Sequence, residues 1–268
     1  MARNELAVRR VVVAVDSAAR VEPLLEAAAA LAVGLQAELR AVVVQSAQLA
    51  RAAALPFTRE LGRVSAEPRA FDPSFVERTL RAQAAVVRQA LDATTRSLQV
   101  RWGLDVVQGE MAPTLLAHFG TGDLLVIGRG ATFAAPLRWV AGVRAPFSEL
   151  KSRPVAVVLD GAAPADRALD AAQAYADFAG TEIVVLVPAA SPEAFRRART
   201  TAGDWLARRG LAAVDYLIVP GSDAVTVARA ARSVRAGVLV WPGRESIGTA
   251  RGVATLLEGA GCPVVVIP

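Results

Sequence analysis

The chain has 268 residues, of which 54% are hydrophobic, and a formal charge of +5, which allows two domains that each bury a core. No apolar run approaches the roughly 20 residues of a bilayer-spanning helix, so no direct membrane insertion is expected. The single cysteine, Cys262, excludes a disulfide framework and a thiolate metal site and suits a reducing cytoplasm. Basic charge is carried by arginine with the one exception of Lys151, and aromatics are only 5%. With no run of five or six basic residues there is no stacking platform for bases, and no nucleic-acid partner is expected. Met1 to Leu6 lead straight into a strand-like run, which predicts no signal peptide.

Short continuous apolar runs alternate with longer segments of helical period, the pattern of strands buried on both faces between helices. In chain order the pattern predicts a strand over 11–15, a helix over 20–33, a strand over 39–44, a helix over 74–98 and a strand over 100–107. A helix over 113–119, a strand over 124–127 and a helix over 137–150 follow. Strands are then predicted over 155–159, 183–187, 214–219, 238–241 and 264–267, with helices over 165–178, 192–209, 224–232 and 249–258. Asp72-Pro73 and Ser191-Pro192 each supply an N-cap oxygen followed by proline at the first helical position. Behind them Val76, Leu80, Ala84, Val87, Leu91 and Leu98 form one core stripe, and Phe195, Ala198, Ala202, Trp205 and Leu206 another.

The opening strand, Val11-Val-Val-Ala-Val-Asp16, is echoed 144 residues later by Val155-Ala-Val-Val-Leu-Asp160. A repeat of this length predicts two copies of one α/β domain, over 1–150 and 151–268. The copies are unequal. Between the strands at 124–127 and 183–187 only 155–159 qualifies, and because it leads into a helix it opens the second copy, leaving the first without a fifth strand. The unpaired edge would be covered by the helix at 137–150 or by another chain, and a homodimer joined through the second copy is expected. The segment 45–71 has no long counterpart in copy two and reads as a lid or a disordered insertion, with a short helix open at 47–55.

The order strand, Asp16-Ser17, helix, strand, long helix, then Val107-Gln-Gly109 before a short helix and Asp123-Leu-Leu-Val-Ile-Gly128-Arg129-Gly130, closing on Cys262-Pro-Val-Val-Val266, resembles the universal stress protein family in tandem form. Val155-Ala-Val-Val-Leu-Asp-Gly with Asp166-Arg-Ala-Leu169 is also similar to the cytosolic tandem domains of cation/proton antiporters. The resemblance implies Rossmann-like parallel sheets, adenine-nucleotide alpha-hydrolase-like, in strand order 3-2-1-4-5. It also implies a site for ATP or AMP at the C-terminal edge of the strands. Asp16 and Ser17 would meet the ribose or adenine side, Val44 would line the base, Gly109 would let the chain pass close to the nucleotide, and Gly128, Arg129, Gly130 and Gly142 would form the phosphate loop. Glycines admit close backbone approach, and a helix N-terminus offers free N–H groups.

The loop departs from the family pattern. Gly128 and Gly130 enclose one residue where the family has two, and Gly142 is followed by Val143 in place of a hydroxyl residue. Copy two reads Trp241-Pro-Gly-Arg-Glu245 at this point, which places bulk and an acid where phosphate would sit. Arg129, Arg138, Arg144, Arg244 and Arg251 are either anion clamps or solvated surface residues. Asp16 and Asp160 are either ligand residues or helix caps.

His118 lacks partners for a catalytic or metal role and reads as the end of a helix, Cys262 as a small packed residue, and Ser17 as no nucleophile. No enzyme and no metal site are expected. The expectation is a cytoplasmic regulatory protein that binds ATP, AMP or another small anion in its first copy and has protein partners. The alternative is a ligand-free interaction module or the regulatory part of a cation/proton antiporter.

Overall fold

A computed structural model describes residues 8–16, 21–47, 51–52, 55, 59–61, 68–70, 73–120, 122–128, 152–159, 165–189, 191–208, 215–242, 256 and 259–267. The first half contains β1 (Arg10–Asp16), α1 (Glu22–Gly34), β2 (Glu38–Ser46), β3 (Arg59–Leu61), β4 (Pro68–Ala70), α2 (Pro73–Thr95), β5 (Trp102–Gly109), α3 (Met111–His118) and β6 (Asp123–Ile127). The second contains β7 (Val155–Val158), α4 (Ala165–Ala179), β8 (Ile183–Pro188), α5 (Pro192–Arg208), β9 (Asp215–Val219), α6 (Ala224–Ser233), β10 (Val238–Pro242) and β11 (Val264–Ile267).

All the principal strands form one nine-stranded sheet in the order β5-β2-β1-β6-β11-β10-β7-β8-β9. Separate parallel sheets were the expectation; what forms is a continuous sheet, parallel within each half and antiparallel at one seam, where Val264, Val265 and Val266 face Ile127, Val126 and Leu125. Among the described residues the position beside β6 is filled from within the chain, since β11 lies between β6 and β10. This corrects two expectations. Neither the segment 137–150, which lies outside the described residues, nor another chain is needed at the β6 edge, and the β11 edge is not open to a second copy.

Alternation along the strands sorts side chains to two cores. Val11, Val13 and Val15 join α1, α2, α4 and α5 on one face, while Val12 and Ala14 join α3 and α6 on the other. The sheet is covered on both faces, which is why its strands are continuous apolar runs. Helix α1 is buried almost all round, from Ala27 to Ala32, because it lies between the sheet and α4. The two helices approach closely: a Cβ on Gly34 would stand 2.8 Å from the Ala174 Cβ and 2.9 Å from its carbonyl oxygen. Only glycine fits there.

Both of these helices end in the same six-residue hydrogen-bonded turn. The Ala37 N–H donates to the Ala32 carbonyl at 2.9 Å and the Thr181 N–H to the Ala176 carbonyl at 3.0 Å. The left-handed residue between is Gln36 (φ 53°) in the first half and Gly180 (φ 64°) in the second. The Ser191 cap forms, its hydroxyl accepting from the Ala194 N–H at 3.2 Å, whereas Asp72 lies outside the described residues. Within 45–71, β3 and β4 pair antiparallel and residues 47, 51 and 52 are helical, so a hairpin stands where an irregular connection was expected.

The halves are held at their strand starts by different chemistry. Arg10, at the start of β1, donates two hydrogen bonds to Asp123 of β6, at 2.9 and 2.6 Å, and the other Asp123 contact is the Gly120 N–H at 2.8 Å. The Asp123 carboxylate is buried, and its hydrogen bonds and charge raise the Arg10 pKa, against a smaller lowering by burial. A second bidentate pair joins Arg40 of β2 to Asp105 of β5, at 2.7 and 3.0 Å.

Candidate functional site

In the first half β1, β2 and β5 run outward in sequence, and the chain then returns to place β6 on the other side of β1. The crevice beyond the C-terminal ends of β1 and β6 is therefore a topological switch point, where α/β sheets bind ligands. The register brings four of the expected residues to this edge. Asp16 stands opposite Val44, and Gly109, opposite Ser46, ends β5. Gly128 follows the last residue of β6. Val44 is buried at 6% exposure and packs with the core beneath α3, so it forms the floor of the edge.

The two glycines have close neighbours within the chain. A Cβ on Gly128 would meet the Leu24 Cδ1 of α1 at 2.8 Å, and one on Gly109 would meet the Thr114 Oγ1 of α3 at 2.5 Å. A side chain at either position would have to displace that neighbour. Ser17, Arg129, Gly130 and Gly142 lie outside the described residues, as do Arg138, Arg144, Asp160, Arg244 and Arg251. Capping of α1 falls to Val21, with no side-chain hydrogen bond, so Asp16 is not its N-cap residue.

Helix α3 starts immediately after Gly109 and is anchored by Met111, Leu115 and Phe119. Its N-cap, Glu110, makes no side-chain cap hydrogen bond, and because Pro113 has no N–H the first-turn donors are those of Met111 and Ala112. His118 occupies its last turn, with Nδ1 2.8 Å from the Thr114 carbonyl oxygen. The equivalent helix of the second half differs. Register aligns Val107 with Val219, hence Gly109 with Gly221 and Thr114 with Thr226. There Asp223 is the N-cap, accepting from the Thr226 N–H at 3.0 Å. Hydrogen bonds from Thr226 hold the Asp223 carboxyl below the usual carboxylate range.

The second edge differs at a further point. Pairing of Val13 with Val126 and of Val157 with Val240 makes Ile127 equivalent to Trp241 and Gly128 to Pro242. Trp241 is buried against the α6 side of the sheet. Because the β6–β11 seam is antiparallel, the two C-terminal edges open on opposite sides of the common sheet. The sequence reading missed the Asp223 cap and the recurrence of Gly109…Thr114 as Gly221…Thr226. The signal was a repeat whose spacing changes across the 45–71 insertion, which a fixed offset does not find.

Among the described residues no cluster of three or more His, Cys, Asp or Glu could hold a metal ion, and no helix is long and apolar enough to cross a membrane. Cys262 is buried. Near the seam Arg167 of α4 is 8% exposed; burial pulls its pKa down against the attraction of Asp123.

No family model matches the chain, and no curated protein matches it. Solved structures do. A universal stress protein from Archaeoglobus fulgidus DSM 4304 superposes with a TM-score of 0.58 at 12% identity, over 97% of this chain and 96% of that one. A functionally unknown protein from Pseudomonas aeruginosa PAO1 does so with a TM-score of 0.50 at 14% identity, over 98% and 93%. A universal stress protein in complex with cAMP covers 43% of this chain and 96% of its own at 20% identity, with a TM-score of 0.37. The comparison of fold rests on the two whole-length superpositions, and by it this chain has the fold of the universal stress proteins.

Proposed function

We propose that the protein is a non-catalytic cytoplasmic regulator of the universal stress type that binds an adenine nucleotide, ATP or AMP, or a related small anion at the C-terminal edge of its first half. The observation that carries this reading is the contrast between the two helix starts. The N-terminus of α3, beside Gly109, has no side-chain cap, while that of α6 is filled by Asp223. A free helix N-terminus at a switch point favours an anion; a carboxylate in the same place disfavours one. Asp16 at the end of β1, together with Ser17, Arg129, Gly130 and Gly142, completes the proposed site. The units expected over 1–150 and 151–268 then differ in role, the first holding ligand and the second serving association with partners. A homodimer through the second half would use β9, where Ile218 is 55% exposed, and a solution mass of one chain refutes it.

The test is a thermal melt of the whole protein with ATP, AMP or cAMP. Stabilisation should grow with ligand concentration, reaching about 2.7 kcal/mol at a hundredfold excess over the dissociation constant. Asp16→Ala should abolish the shift and Asp160→Ala should preserve it; the reverse result places the ligand in the other half. No shift with any nucleotide at millimolar concentration refutes the nucleotide reading and favours the ligand-free interaction module, the regulatory part of a cation/proton antiporter included.

A further inference from the structure

Edge strand β5 and helix α2 flank a groove of about 790 Å³ on the α2 face of the sheet, which extends to Gln45 and Gln108 beside Val44 and Gly109. Its floor is apolar, with Leu80 and Ala84 from α2 and Leu104 and Val106 from β5. Val106 is 46% exposed. A small residue opens the space. Matching buried Val87 and Leu91 of α2 to buried Ala198 and Ala202 of α5 sets Ala84 against Phe195, which packs on the core of the second half.

Among the described residues the backbone beside this floor is also without a strand partner. The Leu39 N–H donates to the Arg101 carbonyl at 2.9 Å, and parallel pairing alternates residue by residue. Gly103, Asp105 and Val107 therefore turn their main-chain groups to β2, and Leu104 and Val106 turn theirs to the open side. Strand β5 ends the sheet. The residues whose backbone faces outward are thus those whose side chains line the groove.

Charge selects the occupant. On the groove face of α2, Glu77 is paired with Arg81, and Asp92 with Arg96. Arg88 also lines the groove and has no ion-pair partner among the described residues. We propose that this groove takes an extended peptide segment of a partner protein as an added strand on β5, apolar at alternate residues and carrying a carboxylate that pairs with Arg88. A second copy of the chain fits less well, because both acids of its own groove are already paired and none is left for Arg88.

The probe is a short capped peptide that alternates valine and threonine around one central glutamate, fluorescently labelled and titrated into the whole protein. The same peptide with a central lysine should bind about fivefold more weakly, the worth of one exposed ion pair. Amide exchange at Leu104 and Val106 should slow on binding. Arg88→Glu should reverse the preference between the two peptides. Val106→Pro, which removes only an outward N–H and leaves the β2 ladder intact, should abolish binding of both. No binding at millimolar peptide, or an unchanged preference in Arg88→Glu, overturns the proposal. So does dodecanoate displacing the peptide while these amides stay unprotected in its presence, which identifies a small amphiphile as the occupant. A doubled solution mass with protected amides in the absence of peptide overturns it in favour of a second copy.

Discussion

Where the first half joins Arg10 to Asp123 by two side-chain hydrogen bonds, the second half has Pro154 beside Gly237, joined by one main-chain bond of 2.9 Å from the Gly237 N–H to the Pro154 carbonyl. The neighbouring pair differs likewise, since Arg40 and Asp105 correspond by register to Val184 and Leu217. One strand plan therefore tolerates two ways of fastening its strands. The first half uses charge-assisted pairs and leaves its α3 start uncapped; the second uses apolar contacts and fills the matching helix start with Asp223. The difference teaches that a shared fold fixes where an edge lies, and the local side chains decide whether that edge stays open.

Substitutions in the two halves test this contrast. The largest effect is expected at the strand that belongs to both halves. Val265→Asp buries a carboxylate between β6 and β10, and it should cost at least about 4 kcal/mol and weaken both halves together in urea unfolding followed by far-ultraviolet circular dichroism. Two separated transitions, with the first half unchanged, would show that the strand is not shared.

Next is the latch peculiar to the first half. Asp123→Ala removes a buried carboxylate that accepts from Arg10 and Gly120, with an expected loss of about 2 to 3 kcal/mol in the same measurement.

Tyr175 stands where the first half has Leu31, and both are fully buried. The Tyr175 hydroxyl has no hydrogen-bond partner among the described residues, and burial, with lesser contributions from Cys262 and Glu26, raises its pKa. A group whose folded pKa lies above its unfolded value contributes stability that is complete below the unfolded value and is lost as pH rises toward the folded one. Stability should therefore fall above pH 10, the ordinary tyrosine value. Tyr175→Phe should flatten that fall and change stability at neutral pH by no more than about 1 kcal/mol. An unchanged alkaline slope in denaturant titrations would remove Tyr175 from the account.

The smallest effect concerns the matched helix ends. Gln36 holds a left-handed conformation that Gly180 adopts in the second half without strain. Gln36→Gly should raise stability by about 0.5 to 1 kcal/mol, read as a small rise in the melting temperature. A loss would mean that the Gln36 side chain contributes more than its backbone costs.

Much of the strand plan was legible. Continuous β-branched runs such as Val11 to Val15 and Val238 to Trp241 are local signals, and each became a strand buried on both faces. The core stripes of α2 and α5 were legible for the same reason. The candidate site was less so. Asp16, Val44, Gly109 and Gly128 do gather at one edge, but the close contacts of Gly128 with Leu24 and of Gly109 with Thr114 were invisible in the chain order. A glycine in a sequence shows only that a Cβ is missing, and the neighbour that requires its absence is known once the helix is in place.

Which described segments become strands and helices follows from the sequence, because periodicity and continuous burial are written in neighbouring residues. Tertiary structure alone decided that β11 closes both halves, that the two edges open on opposite sides of one sheet, and that a groove lies beside β5. Each of these depends on contacts between residues far apart in the chain. For Val265 against Val126, the local pattern of valines is equally compatible with a solvent-facing edge, and the choice is made by the apolar area that the seam removes from water.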